Sequence, residues 1–157
     1  MRKLLGAVLV IGAAVMLWPR THDENLVYDR LWVDHMPRSE TDRFELFAAL
    51  TEQPIGIFQA SSVWKGEWEL FRHEGAGDGK ILIIYPQTGK RERAAYKART
   101  CREQGFDYCL ELDASHGAKR YYSQKGWELR TIDDVARKSR SVSVALSAPS
   151  TKKALRQ

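Results

Sequence analysis

Six short segments, apolar or alternating in polarity, lie between Pro54 and Leu129, and turn-forming residues separate them. They read PIGIFQASSVW, GEWELFRHE, KILIIYP, RERAAYKARTC, DYCLEL and KRYYSQKGWEL, divided mainly by GAGDG, QTGK, REQGF and DASHGA. Runs of this length, rich in β-branched and aromatic residues and broken by Gly, Asp and Ser, make an antiparallel meander. The expected fold is mainly β (α+β): a curled meander of six to eight strands, left open or closed into a small barrel, with one amphipathic helix packed on it.

The expected helix lies near residues 39–52. Ser39 or Thr41 can cap it, Glu40, Asp42 and Glu45 crowd its first turns, and Phe44, Phe47, Ala48 and Leu50 or Thr51 form its stripe; Pro54 ends it. Before it, Leu26 to Met36 reads as a strand. After the meander, Thr131 to Lys138 suits two turns of helix with Thr131 as cap and Asp133 and Asp134 in the first turn. Ser141 to Ser147 alternates Ser with Val142, Val144 and Leu146, which fits either a last edge strand or a disordered segment. The domain organisation is therefore a leader over 1–20, a linker over 21–25, one β domain over 26–147 and a disordered basic tail over 148–157.

The chain has a formal charge of +5, but the charge is unevenly placed. Residues 1–20 hold three basic residues and no acid, and residues 137–157 hold six and no acid. Between them stand 16 basic and 20 acidic residues, a net of about −4. A mildly acidic domain with basic ends argues against a nucleic-acid groove.

Arg2 and Lys3 precede an unbroken apolar run from Leu4 to Trp18, then Pro19 and Arg20. This is a positive amino end followed by a hydrophobic region, either an uncleaved signal anchor or a cleaved signal peptide. The absence of small residues directly after the run favours the anchor. Fifteen residues of helix span only about 22 Å against a hydrocarbon core of roughly 30 Å, a deficit that snorkelling and local thinning can cover. Either way the domain is sent across the membrane. It is expected in the periplasm, anchored to the inner membrane or secreted there if the leader is cleaved.

Cys101 and Cys109 flank the turn from Arg102 to Tyr108, and strand parity points both outward from one hairpin. That spacing suits a structural disulfide; it is not C-x-x-C, and no second ligand pair makes a metal site. A disulfide fits an extracytoplasmic location.

Parity also sorts the meander's faces. Trp64, Gly66, Trp68 and Leu70 share one face of their strand; Ala94 and Ala98 flank Tyr96 on an inner face; Tyr108, Leu110 and Leu112 point inward. KILIIYP is apolar on both faces and suggests a strand covered on both sides, with the helix as a candidate cover. If Trp64, Trp68, Tyr96, Tyr108, Tyr122 and Trp127 interlock, the interior is solid; if they line a gap, it is a pocket for an apolar ligand. Gly66-Glu67-Trp68 has the G-x-W spelling of the first strand of lipocalins, to which the curled architecture is loosely similar. Here the triplet follows a helix and a strand, and no function is carried over. The outward row Arg91, Arg93, Lys97 and Arg99 could bind an anion, or be a solvated face balanced by Glu111 on the next strand.

No catalytic set converges. Gly75 to Lys80 fails the phosphate-loop spacing and is a hairpin turn; the four histidines are scattered without metal-ligand spacing; Ser115 and His116 are adjacent without an orienting acid. The expectation is a non-enzymatic module with no cofactor and no metal, binding an apolar small molecule or an envelope protein, with a purely structural envelope protein as the alternative. Its membrane contact would run through the N-terminal helix.

Overall fold

The computed structural model describes residues 23–39, 41–62 and 66–144. The leader, the basic tail, residues 145–147 and Trp64 lie outside the described residues. Eight strands form a closed antiparallel barrel in sequence order: β1 (Trp32–Val33), β2 (Phe44–Ala49), β3 (Ile55–Ser61), β4 (Gly66–Gly75), β5 (Lys80–Ile84), β6 (Arg91–Glu103), β7 (Phe106–Asp113) and β8 (Arg120–Ser123). Each of the six segments of the expected meander contains a strand, although only Arg120–Ser123 of the last is strand. The one α-helix among the described residues, α1, covers Ile132–Val144. No helix among the described residues is long and apolar enough to cross a membrane.

Two expectations about the helix are corrected. The segment near 39–52 is not helical, since Phe44–Ala49 is strand β2 and pairs with β1 and β3. Its apolar run is read twice: Phe47 and Ala49 face the barrel interior, while Phe44, Leu46, Ala48 and Leu50 face outward into a second cluster. A strand buried on both faces cannot be told from a helix by periodicity alone. Leu46, which falls off the helical stripe, is the residue that fits only the strand.

The second correction concerns 141–147, because α1 runs on through Val144. Buried Val135, Ser139 and Val142 recur at helical spacing, so alternation of Ser with Val is coincidental there. Asp134 N–H donates to Thr131 Oγ1 at 3.3 Å, and Asp134 Oδ2 accepts from Arg130 and Thr131 N–H, a cap that starts the helix as the sequence suggests. Val135 and Val142 join Leu31, Val33, Phe44, Leu46, Leu50 and Leu129 in the outer cluster. The helix does not cover KILIIYP: Ile81 and Ile83 are buried inside, whereas Leu82 and Ile84 are only half-buried outside.

The expected strand over Leu26–Met36 is mostly a closing device. A 3-10 turn over Glu24–Val27, capped by Asp23, puts Val27 and Leu26 against the interior cluster, and only Trp32–Val33 is strand. Residues 23–25 of the expected linker therefore belong to the folded part. Trp32 is fully buried with its indole N–H donating to Val27 O at 3.0 Å. Arg30 lies at the same end, its guanidinium 4.1 Å from the Tyr108 ring centroid and bonded to Gln124 O and Glu128. One end of the barrel is thus plugged.

Candidate functional site

The centre of the barrel is filled. Phe47, Phe58 and Phe71 pack with ring centroids 4.9 to 6.0 Å apart, and Phe47 meets Tyr121 at 5.9 Å. Trp32, Tyr85, Ile81, Ile83 and Leu110 complete a set with essentially no exposure. Rings at these separations leave no ligand-sized gap between them.

Of the six aromatic residues expected to act together, the five that are described are separated. Tyr96 and Tyr108 face the interior. Tyr122 and Trp127 lie outside the barrel, against Phe106, with Phe106 to Tyr122 at 5.3 Å and Phe106 to Trp127 at 6.1 Å. Trp68 is 63% exposed on the outer side of β4. The expected parity of β4 is therefore reversed: Phe71 and His73 are buried, so Glu67 and Glu69 share their inward face. Alternation misled because the inward residues of this strand near the barrel's end are hydrated acids rather than apolar groups. The G-x-W triplet accordingly contributes no interior tryptophan.

Of the basic row, Arg91, Arg93 and Lys97 are exposed, and Lys97 faces Glu111 in register. Arg99 is 9% exposed and bonded to Glu103 at 3.0 Å, which also pairs with Arg120. Glu103 is an acid that the sequence reading left out of the row's charge balance.

The disulfide Cys101–Cys109 is present, with Cα atoms 5.8 Å apart. Cys109 stands opposite Arg99 rather than Cys101; an irregularity between Thr100 and Glu103 brings Cys101 across. Glu103 lies near the two sulfurs, yet bonded cysteines offer no thiolate to a metal.

An opening lies at the barrel's other end, where β2, β3 and β4 meet the β7–β8 connection. Phe47, Phe58 and Glu69 form one inward row across the three strands, and Glu45, Ala60 and Glu67 form the next row outward. Ala60, a single methyl between two acids, leaves a gap. A cavity of about 260 Å³ opens there, lined by Glu45, Phe58, Ala60, Glu69, His116 and Gly117 among others. This is just below the roughly 300–1,000 Å³ of ordinary small-molecule sites.

The β7–β8 connection roofs this mouth and is tied down by several polar contacts. His116 Nδ1 lies 2.8 Å from Glu69 Oε2, and its ring packs 4.9 Å from that of Tyr85. Ser115 N–H donates to Glu92 Oε1, which also accepts from Tyr85 Oη at 2.8 Å. Burial would raise the Glu92 carboxyl, but the hydrogen bonds from Ser115 and Tyr85 outweigh it and hold the group below the usual carboxylate range. Burial pushes the Tyr85 and Tyr121 phenols upward, so both stay neutral donors and acceptors. Tyr121 Oη accepts from Ala118 N–H at 2.7 Å. Gly117, at φ +76°, sits so close to Phe58 that a Cβ there would stand 2.8 Å from the ring.

Lys90 Nζ donates to Ser115 Oγ at 2.9 Å, a serine–lysine contact that sequence adjacency could not reveal. The ammonium also faces Glu92 at 3.7 Å. Glu45 is the residue that sequence reasoning missed, having been placed on a helix; its register opposite Ala60 gives it significance. Comparison with protein-family models, curated proteins and solved structures finds no match to this chain.

Proposed function

We propose that this protein is a non-enzymatic binding module of the cell envelope that takes its ligand at the open mouth of the barrel, not at its centre. The observation that carries this reading is the contrast between a centre closed by stacked rings and a mouth left hollow between Phe58, Ala60 and Glu69. An apolar ligand filling the interior would have to displace Phe47, Phe58 and Phe71. The disulfide fits an oxidising compartment, and the apolar leader with Arg2 and Lys3 before it fits export with tethering to the inner membrane or release into the periplasm. Envelope proteins remain partners for the outer face.

A second reading, a purely structural envelope barrel, draws on the same packed centre. The two separate in a fragment screen followed by residue-resolved NMR on the full chain in uncharged detergent. The binding reading expects saturable shifts at the amides of Glu45, Ala60, Glu69 and Gly117. A screen in which these four never move, while the fold persists, favours the structural barrel.

A further inference from the structure

We propose that the mouth takes a small organic monocation, an alkylammonium whose charge rests against Glu45 and whose hydrocarbon rests on Phe58; this builds on the reading of the mouth as a binding site. Charge pairing points there first. Arg43 meets Glu67 at 2.9 Å and His116 meets Glu69 at 2.8 Å, so two of the mouth's three acids already have partners. Glu45 has no ion-pair partner among the described residues; its side chain is half-buried, lines the cavity, and its Oε2 makes no hydrogen bond. A half-buried carboxylate without a partner is favoured by a donor that brings positive charge to it.

Position points the same way. Glu45 shares the inward face of β2 with Phe47 and Ala49, and across β3 it faces Ala60, whose methyl leaves the space beside it open. Phe58, one step inward, presents an aromatic ring to the same space, and the cavity touches both. Carboxylate at one side and ring at the other is the chemistry that holds an ammonium with an alkyl chain. An anion would meet Glu45, Glu67 and Glu69. A hard divalent metal wants several oxygen ligands together, and among the described residues no three His, Cys or carboxylate donors converge at the mouth.

The test uses three probes of matched length, n-butylammonium, 1-butanol and butanoate, titrated into the full chain in uncharged detergent with the amides of Glu45, Ala60 and Gly117 observed. Butylammonium is expected to bind saturably and at least tenfold more tightly than 1-butanol, with butanoate giving no shift. Glu45→Gln is expected to weaken butylammonium at least tenfold while leaving the thermal midpoint unchanged or raised, because it removes a half-buried carboxylate that has no ion-pair partner among the described residues. Ala60→Leu fills the gap without altering a charge and should abolish the shifts. Equal affinity for 1-butanol, or undiminished butylammonium binding by Glu45→Gln, overturns the cation assignment while leaving the mouth as a site; undiminished binding by Ala60→Leu overturns the mouth as the site. If none of the three probes moves these amides, the mouth-binding reading falls with it.

Discussion

The ring of Phe71 lies over Gly56, its partner in register on β3: a Cβ at Gly56 would stand 2.1 Å from Phe71 Cζ and 2.7 Å from the carbonyl oxygen of Ala48. A missing side chain thus holds the place of an aromatic ring in the barrel's core. Gly56→Ala should therefore cost about 1–3 kcal/mol through overpacking. The urea midpoint should fall accordingly, and Phe71→Leu in the same chain should recover part of the loss. An unchanged midpoint in the single variant would show that the ring can move aside freely.

The Cys101–Cys109 bond closes a short loop across β6 and β7. The chain-entropy estimate for so short a loop is about 2–3 kcal/mol. Cys101→Ser with Cys109→Ser should lower stability by that amount in urea unfolding, and reductant should do the same to the natural chain. Mass measurement after thiol alkylation of envelope fractions should find both cysteines blocked; two free thiols there would remove the support that the bond gives to an oxidising compartment.

His73 is buried at the plugged end, with Nε2 2.9 Å from Leu50 O and its ring stacked 5.4 Å from that of Tyr28. A carbonyl only accepts, so Nε2 carries the proton. Burial lowers the imidazole's tendency to take a second one, with the Leu50 carbonyl opposing in part. The unfolded chain therefore binds more protons between the folded value and the ordinary one near 6.5. Stability from this group is complete above that ordinary value and is lost as pH falls through the folded one. Urea midpoints measured from pH 8 to pH 5 should decline, and His73→Gln, which keeps a donor for Leu50 O, should flatten the decline. Parallel curves for the two proteins would assign the slope to other groups.

The parts of this fold legible in the sequence are those where one physical signal acts alone. Turn chemistry around Gly77, Gly89 and Gly105, each at positive φ, marks hairpin ends regardless of what the strands pack against. Ala94, Tyr96 and Ala98 alternate with exposed Arg93 and Lys97, so β6 announces its inner face. Residues subject to two demands are misread. Phe44 to Leu50 serves an interior and an outer cluster at once, and its pattern looks helical because every position is apolar except Glu45. Glu67 and Glu69 point inward at a hydrated rim, so polarity there reports distance from the barrel's end rather than face. The candidate site is built from such residues, which is why Glu45 and Glu69 carried no signal before the register was known.

Closure of this barrel depends on its shortest strand. Trp32–Val33 must find Tyr122 on β8, and further ties along that seam come from Arg30 to Glu128 and Gln124, from Leu31 and Leu129 backbone contacts, and from packing of Leu31, Val33, Tyr122 and Leu129. About ninety residues separate the two sides of the seam. A chain emerging amino end first therefore exists as an open sheet with two unsatisfied edges until β8 arrives, and α1 follows only afterwards to cover the outer side of β1 and β2. Folding should be slow and set by this late encounter. During that interval the exposed edges can recruit other chains. The order of emergence, more than the finished contacts, decides how much of this protein must be guarded while it is made.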